Sequence, residues 1–166
     1  MKQRILVPVD GSPPSRRALE AAVDLAKSLD ASVVLCHVVD PAKAAMMTFG
    51  NPAFASGCID ALRDEGEAIV ETAKERCGDL AGGLQSFVVQ GNPAEEIAQV
   101  AQALHAGWIV MGSHGRSGLS RMLMGSVAEG VLRHASVPVM IVPSEREHPS
   151  SKQTSKPEPA AASAAQ

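Results

Sequence analysis

Short apolar segments rich in β-branched residues alternate with helix-forming segments along most of the chain. Each apolar segment has the length and continuous hydrophobicity of a strand that is buried on both faces. Alternating strands and helices predict parallel strands joined by right-handed crossovers. We therefore predict a doubly wound α/β fold, a five-stranded parallel sheet with helices on both faces. The predicted strands are residues 4–9, 32–39, 84–90, 107–111 and 138–142.

Two helix starts are marked by a side chain that can cap the helix and a proline at the first helical position. They are Ser12 with Pro13 and Asn92 with Pro93, each followed by an amphipathic segment. Both are predicted to begin helices that cover a face of the sheet.

Residues 40–57 show neither helical nor strand periodicity. Proline and glycine are expected to break any regular element there, so we predict an irregular loop that either folds over something or is mobile. The breakers are Pro41, Gly50, Pro52 and Gly57, and the large apolar residues between them are Met46, Met47, Phe49 and Phe54.

The end of the chain differs in composition from the rest. Residues 145–166 contain no Val, Ile, Leu, Met or aromatic residue. Such a segment cannot bury enough apolar surface to offset the entropy lost on ordering. We predict one folded domain, residues 1–144, followed by a disordered C-terminal tail, residues 145–166.

The formal net charge of −3 gives no electrostatic reason to expect nucleic acid or an anionic membrane as a partner. No segment approaches the roughly 18 uncharged apolar residues of a membrane span, and no signal-peptide core precedes Asp10. The expected localisation is cytoplasmic, where the three cysteines, which have no CxxC spacing, would be reduced.

A glycine-rich loop lies between the fourth strand and a helix predicted over about residues 126–134. Because glycine has no side chain, backbone amides in such a loop can approach phosphate oxygens closely. Gly125 and Ser126 place amides and a hydroxyl at a helix N-terminus, where the dipole favours an anion. The loop is neither a P-loop nor a dinucleotide fingerprint. On its chemistry alone, phosphate binding and a purely structural turn both remain open.

The position of the loop in the fold favours phosphate binding. In open α/β sheets, ligands bind beyond the carboxyl ends of the strands where the winding direction reverses. If the first and fourth strands are neighbours there, Asp10 and the glycine loop face one crevice. A carboxylate at that place suits ribose hydroxyls or a metal ion. His114 and Arg116 either reach phosphates or are solvated loop residues.

Over residues 4–143 the sequence resembles the universal stress protein family. The loop fits that family's nucleotide signature Gly-x2-Gly-x9-Gly-Ser/Thr at each defined position, namely Gly112, Gly115, Gly125 and Ser126. Further matching segments are residues 5–12, 37–39, 91–93 and 137–143.

The resemblance implies a Rossmann-like sheet in the order 3-2-1-4-5 and a bound ATP with Mg or Mn. It places Asp10 at the ribose or adenine side and at the metal, and Val38 in the adenine pocket. It also implies a homodimer through the last strand, residues 138–142. The remaining implied contacts are the phosphate residues Gly112, Gly115, Gly125, Ser126 and Val127 and the walls Pro8, Val9 and Met111.

The resemblance leads us to predict an ATP-binding regulator of stress response whose nucleotide occupancy changes the surface offered to an unidentified protein partner. No catalytic constellation emerges from the sequence, so we predict no catalytic residue and at most a weak ATPase. One alternative is a slow ATP hydrolase or self-phosphorylating enzyme that uses Asp10-bound magnesium and a loop serine. Another is a dimeric scaffold with an unused pocket.

Overall fold

The computed structural model describes residues 2–115 and 124–143. Five parallel strands form one sheet in the order β3-β2-β1-β4-β5. The predicted fold class is confirmed, and so is the strand order that the resemblance implied. The strands are β1 Arg4–Pro8, β2 Ser32–Val39, β3 Leu84–Gln90, β4 Trp108–Gly112 and β5 Val139–Val142.

The helices cover both faces of the sheet. They are α1 Pro13–Leu29, α2 Pro41–Met47, α3 Pro52–Cys77, α4 Pro93–Ala103 and α5 Ser126–His134. On β2, Val33 and Leu35 pack on the side of α1 and α3, whereas Val34 and Cys36 pack on the side of α4 and α5. Both faces of the central strands are therefore buried, which explains their continuous apolar sequences. Within the described residues, no helix combines the length and apolar composition that a membrane crossing requires.

The prediction of an irregular loop over residues 40–57 was wrong, because two helices begin there. Asp40 caps α2 and Asn51 caps α3, each accepting a hydrogen bond from the amide two residues on, at 2.8 Å and 3.0 Å. Pro41 and Pro52 follow these caps at the start of each helix, where the missing N–H of proline costs nothing. The turn at residues 48–51 separates the two helices.

α3 is longer than the sheet against which it packs. It has 26 residues, which corresponds to about 39 Å, whereas β2 has 8. Gly66 is the point at which α3 meets His37, near the carboxyl end of β2. The part of α3 that precedes Gly66 therefore extends past this edge of the sheet, where α2 packs against it. We refer to residues 41–65 as the α2–α3 hairpin.

Candidate functional site

A cavity of about 630 Å³ opens at the carboxyl edge of the sheet, and this volume is typical of small-molecule sites. β1 and β4 are neighbours there, with β2 on one side and β5 on the other, so the winding direction reverses at the cavity. Arg116 lies outside the described residues. The other predicted site residues all line the cavity: Pro8, Val9, Asp10, Val38, Met111, Gly112, His114, Gly115, Gly125, Ser126 and Val127.

Asp10 is held in a fixed orientation at the end of β1. Its Oδ1 accepts a hydrogen bond from the amide of Ser12 at 3.0 Å, and its own amide donates to Oγ of Ser15 at 3.2 Å. A β carbon on Gly115 would lie 2.7 Å from the other carboxylate oxygen, Oδ2. A side chain at position 115 would therefore require the carboxylate of Asp10 to move, and Asp10 faces the loop.

The two ends of the glycine loop are tied together by backbone contact. The amide of Gly125 donates to the carbonyl oxygen of Ser113 at 2.8 Å. A β carbon on Gly125 would lie 3.2 Å from that oxygen and 3.3 Å from Cα of His114. A side chain there would require the segment around His114 to shift by a few tenths of an ångström, so this glycine has a packing role even before a ligand is considered.

The N-terminus of α5 differs from those of the other described helices. α1, α2, α3 and α4 are each capped by the side chain of Ser12, Asp40, Asn51 or Asn92. The residue before α5 is Gly125, which makes no side-chain cap. The first amides of a helix have no partner within the helix, and the dipole there favours an anion. Since Ser126 and Val127 line the cavity, an anion in the cavity can accept these hydrogen bonds.

Ser113 and His114 form a hydrogen-bonded pair, with Oγ of Ser113 3.1 Å from Nδ1 of His114. A hydroxyl beside an imidazole is the arrangement of an activated nucleophile. The cavity lining, however, includes His114 and not Ser113. The pair therefore does not present Ser113 to the cavity as a nucleophile.

His37 forms part of the opposite wall. It is buried, and its Nδ1 lies 2.7 Å from the carbonyl oxygen of Val9. A carbonyl oxygen only accepts, so Nδ1 carries the proton and donates. His37 is thus a hydrogen-bonded structural histidine, which is the usual outcome for a histidine in an apolar strand, and it also lines the cavity.

The part of the wall that the α2–α3 hairpin supplies was not predicted from the sequence. The signal was present in Asp40 followed by Pro41, a cap and a first-turn proline directly after β2. Because parallel strands end at one edge, a helix that starts there lies beside the cavity. The hairpin and its capping residue contribute Asp40, Ala42, Lys43, Met46, Leu62 and Glu65 to the lining.

Cys36 also lines the cavity and was not predicted. Burial raises the pKa of its thiol to about 12, with a smaller contribution from the carboxylate of Glu96. The thiol therefore stays protonated near neutral pH and is a poor nucleophile. Its contribution to the site is apolar contact.

A second, smaller groove of about 340 Å³ lies between α1 and α3. It shares Val9, Ser15 and Glu65 with the main cavity but contains none of the loop glycines and no residue of α5. Arg16 and Arg76 line the smaller groove, whereas the glycines of the loop and the N-terminus of α5 line the larger cavity. Within residues 2–115 and 124–143, no three His, Cys, Asp or Glu side chains are grouped to hold a metal ion by themselves.

Comparison with known proteins identifies relatives along nearly the whole described chain. The model of the universal stress protein family matches residues 1–143. Universal stress protein MJ0531 of Methanocaldococcus jannaschii is 35% identical over 142 residues, 84% of this chain and 81% of its own. The solved structure of MJ0577, from the same organism, aligns with a TM-score of 0.76 at 29% identity, covering 88% of this chain and 99% of that one. A universal stress protein solved in complex with cAMP aligns with a TM-score of 0.59 at 26% identity, covering 84% and 95%.

Proposed function

The chain belongs to the universal stress protein family, and we propose that it binds ATP at the carboxyl edge of its sheet and acts as a nucleotide-dependent regulator of stress response. The observation that carries the proposal is the N-terminus of α5, which opens into the cavity without a capping side chain. The oxygens of a phosphate group there accept hydrogen bonds from the amides of Ser126 and Val127 and from the hydroxyl of Ser126. The phosphate thus takes the place of the missing cap.

With the phosphates at the N-terminus of α5, the ribose and the base take the neighbouring parts of the cavity. Asp10 stands across from the glycine loop, where its carboxylate accepts hydrogen bonds from ribose hydroxyls. Val38, at the end of β2, supplies an apolar contact for the adenine ring, and Met111 and Pro8 close the walls. The proposed order along the cavity is therefore phosphates at α5, ribose at Asp10 and base at β2.

The relative in complex with cAMP supports an adenine nucleotide as the ligand class. Cyclic AMP and ATP share the base, the ribose and at least one phosphate, so the same wall contacts serve both. The preference for ATP rests on the complete glycine signature at Gly112, Gly115, Gly125 and Ser126.

A divalent cation fits the site only together with the nucleotide. Magnesium is usually held by one or two carboxylates plus substrate phosphates rather than by an all-protein cage. Asp10 supplies one carboxylate facing the glycine loop, so it would hold Mg or Mn against the phosphates. When bound, the cation neutralises phosphate charge, and the chain's own residues orient the nucleotide.

A regulatory role fits the position of the α2–α3 hairpin. Lys43 and Met46 belong to the hairpin and line the cavity, so an occupant contacts an element whose other side faces solvent. We further propose a homodimer through β5, whose outer edge pairs with no strand of the described chain and would otherwise be a liability. Three free cysteines fit a reducing cytoplasm.

The proposal is tested by denaturing the purified protein and identifying any released small molecule by chromatography and mass. Recovery of ATP, or of ATP with ADP, supports the proposal. Ser126→Ala removes a hydrogen bond to a charged group, which is worth roughly 1.5–3 kcal/mol, and should lower occupancy sharply. Ser56→Ala, on the exposed side of α3, is the matched control. Empty wild-type protein that also fails to take up added ATP and magnesium contradicts the proposal.

A further inference from the structure

The α2–α3 hairpin exposes large apolar side chains at its free end. Phe49 is 99% exposed, Met46 79%, Phe54 65% and Met47 58%. We call these four residues the hairpin tip. Single exposed apolar residues are ordinary, whereas a cluster of large ones marks an interaction surface.

Aromatic residues are few in this chain, and they are concentrated at the hairpin tip. It contains three phenylalanines, one tryptophan and no tyrosine, and the tip holds two of the phenylalanines. Phe49 has a left-handed backbone conformation, with φ of 50°, because it ends α2: its amide donates to Met46 and that of Gly50 donates to Ala45, as in a Schellman turn. The turn that ends α2 therefore places Phe49 at the free end of the hairpin, where its side chain is exposed.

The flanks of the hairpin tip are acidic. Residues 40–67 contain five acidic and two basic side chains, and of the acidic ones Asp40 and Glu65 line the cavity. The basic ones are Lys43 and Arg63, and Arg63 lies 3.8 Å from Glu67. Asp60 and Asp64 are exposed on the same part of α3. An apolar centre with a negatively charged margin is complementary to an apolar stripe bordered by Lys or Arg.

The main chain around the tip restricts the kind of partner. The backbone groups of α2 and α3 are bonded within the helices, so a partner cannot add a strand here and must be recognised through side chains. Apolar anchors at helical spacing match such a surface, and methionine adapts to their shape. We propose that the hairpin tip is a docking surface for a basic amphipathic helix of another protein. This inference goes beyond nucleotide binding, and of the four tip residues Met46 alone is also in the cavity lining.

The test measures binding of a fluorescent synthetic peptide to the full chain. The probe carries leucine at i, i+3, i+4 and i+7 and lysine elsewhere. One control peptide has glutamate in place of lysine, and a second has the same composition in scrambled order. Phe49→Asn, which tolerates the left-handed conformation, is combined with Phe54→Gln. Leu132→Gln, at another exposed apolar residue, is the matched control.

We expect saturable binding of the lysine peptide that weakens at least about tenfold, or about 1.4 kcal/mol, in the double variant. Leu132→Gln should bind like the wild type, and both control peptides should bind much more weakly. Equal binding of the scrambled peptide, or equal affinity of the double variant, would overturn the proposal. Self-association of the wild type that is lost in the double variant would also overturn the proposal, because a second copy of the chain would then occupy the hairpin tip. Binding to neutral phosphatidylcholine vesicles that depends on the tip, without binding of the peptide, would overturn it as well.

Discussion

Nδ1 of His37 lies 2.7 Å from the carbonyl oxygen of Val9, and this hydrogen bond joins the carboxyl ends of β2 and β1 at the wall of the cavity. The other edge of the imidazole meets α3, because a β carbon on Gly66 would lie only 2.5 Å from Cδ2 of His37. The ring is thus fixed between the sheet and α3, and it sets how closely the α2–α3 hairpin approaches the cavity.

Gly66→Ala should destabilise the fold, although alanine is the better helix former. The added methyl group meets a ring that cannot rotate away without losing its bond to Val9, and such overpacking typically costs about 1–3 kcal/mol. Gly57→Ala is the matched control in the same helix, since nothing lies within 4 Å of its β carbon. The control should gain about 0.5–1 kcal/mol. Urea denaturation measures the free energy of unfolding of both variants. Equal changes in the two would contradict the close contact between Gly66 and His37.

Stability should fall as the pH rises above about 9. Burial raises the pKa of Cys36 from 9.0 to about 12, and burial also raises that of Cys77. Between these values the unfolded thiols lose protons while the folded ones keep them, so the free energy of unfolding decreases with pH. Each thiol contributes a slope of at most about 1.4 kcal/mol per pH unit. Unfolding of Cys36→Ala between pH 8 and 10.5 should show a smaller slope than wild type; identical slopes would contradict the assignment.

Asp10→Asn should weaken binding of ATP with magnesium and abolish the difference that magnesium makes. The amide retains an oxygen that can accept from Ser12, so the turn after β1 is preserved. What is lost is the negative charge that faces the glycine loop. Titrations with magnesium and with EDTA, on the variant and the wild type, measure the effect. If ATP binding by the variant still depends fully on magnesium, Asp10 is not a ligand of the metal.

Ile141→Pro should dissociate the proposed dimer without unfolding the subunit. The carbonyl oxygens of Pro138 and Val142 accept from the amides of Ile109, in β4, and Ser113, directly after it. By the two-residue period of a strand, the amide of Ile141 therefore points to the free edge. Proline removes that donor and is tolerated on edge strands. Ile141→Ala is the control, because it also removes the isoleucine side chain but keeps the backbone N–H. Sedimentation should show monomers only for the proline variant; a dimer that persists would place the interface elsewhere.

The strands and most helix starts were predictable because each has a local cause. Continuous apolar runs form the central strands, and Ser12 and Asn92 act as the caps that the sequence indicates. The spacing of the glycines singled out the loop after β4. The structure adds a packing reason for two of these glycines, because a side chain on Gly115 would meet Asp10 and one on Gly125 would meet Ser113.

α2 and the first turns of α3, residues 41–57, were not predicted, for a physical reason. These first turns of α3 extend past the sheet and bury no apolar stripe against it, so the periodicity that reveals an amphipathic helix is absent there. The caps Asp40 and Asn51 were the remaining signal. They carry the same information as Asn92 but were outweighed by the glycines and prolines nearby.

We propose that the cavity beneath the hairpin binds ATP through the glycine loop and the N-terminus of α5. Calorimetric titration of ATP and magnesium into nucleotide-free wild type and Gly125→Val measures this binding. A β carbon at this position would lie 3.2 Å from the carbonyl oxygen of Ser113 and 3.3 Å from Cα of His114, so valine shifts the loop by a few tenths of an ångström and adds its methyl groups at the N-terminus of α5. We predict one saturable site in the wild type and a loss of roughly a hundredfold or more in affinity, about 2.7 kcal/mol, in the variant, with circular dichroism unchanged. Equal affinity in the two proteins, or no binding to the wild type, would contradict the account.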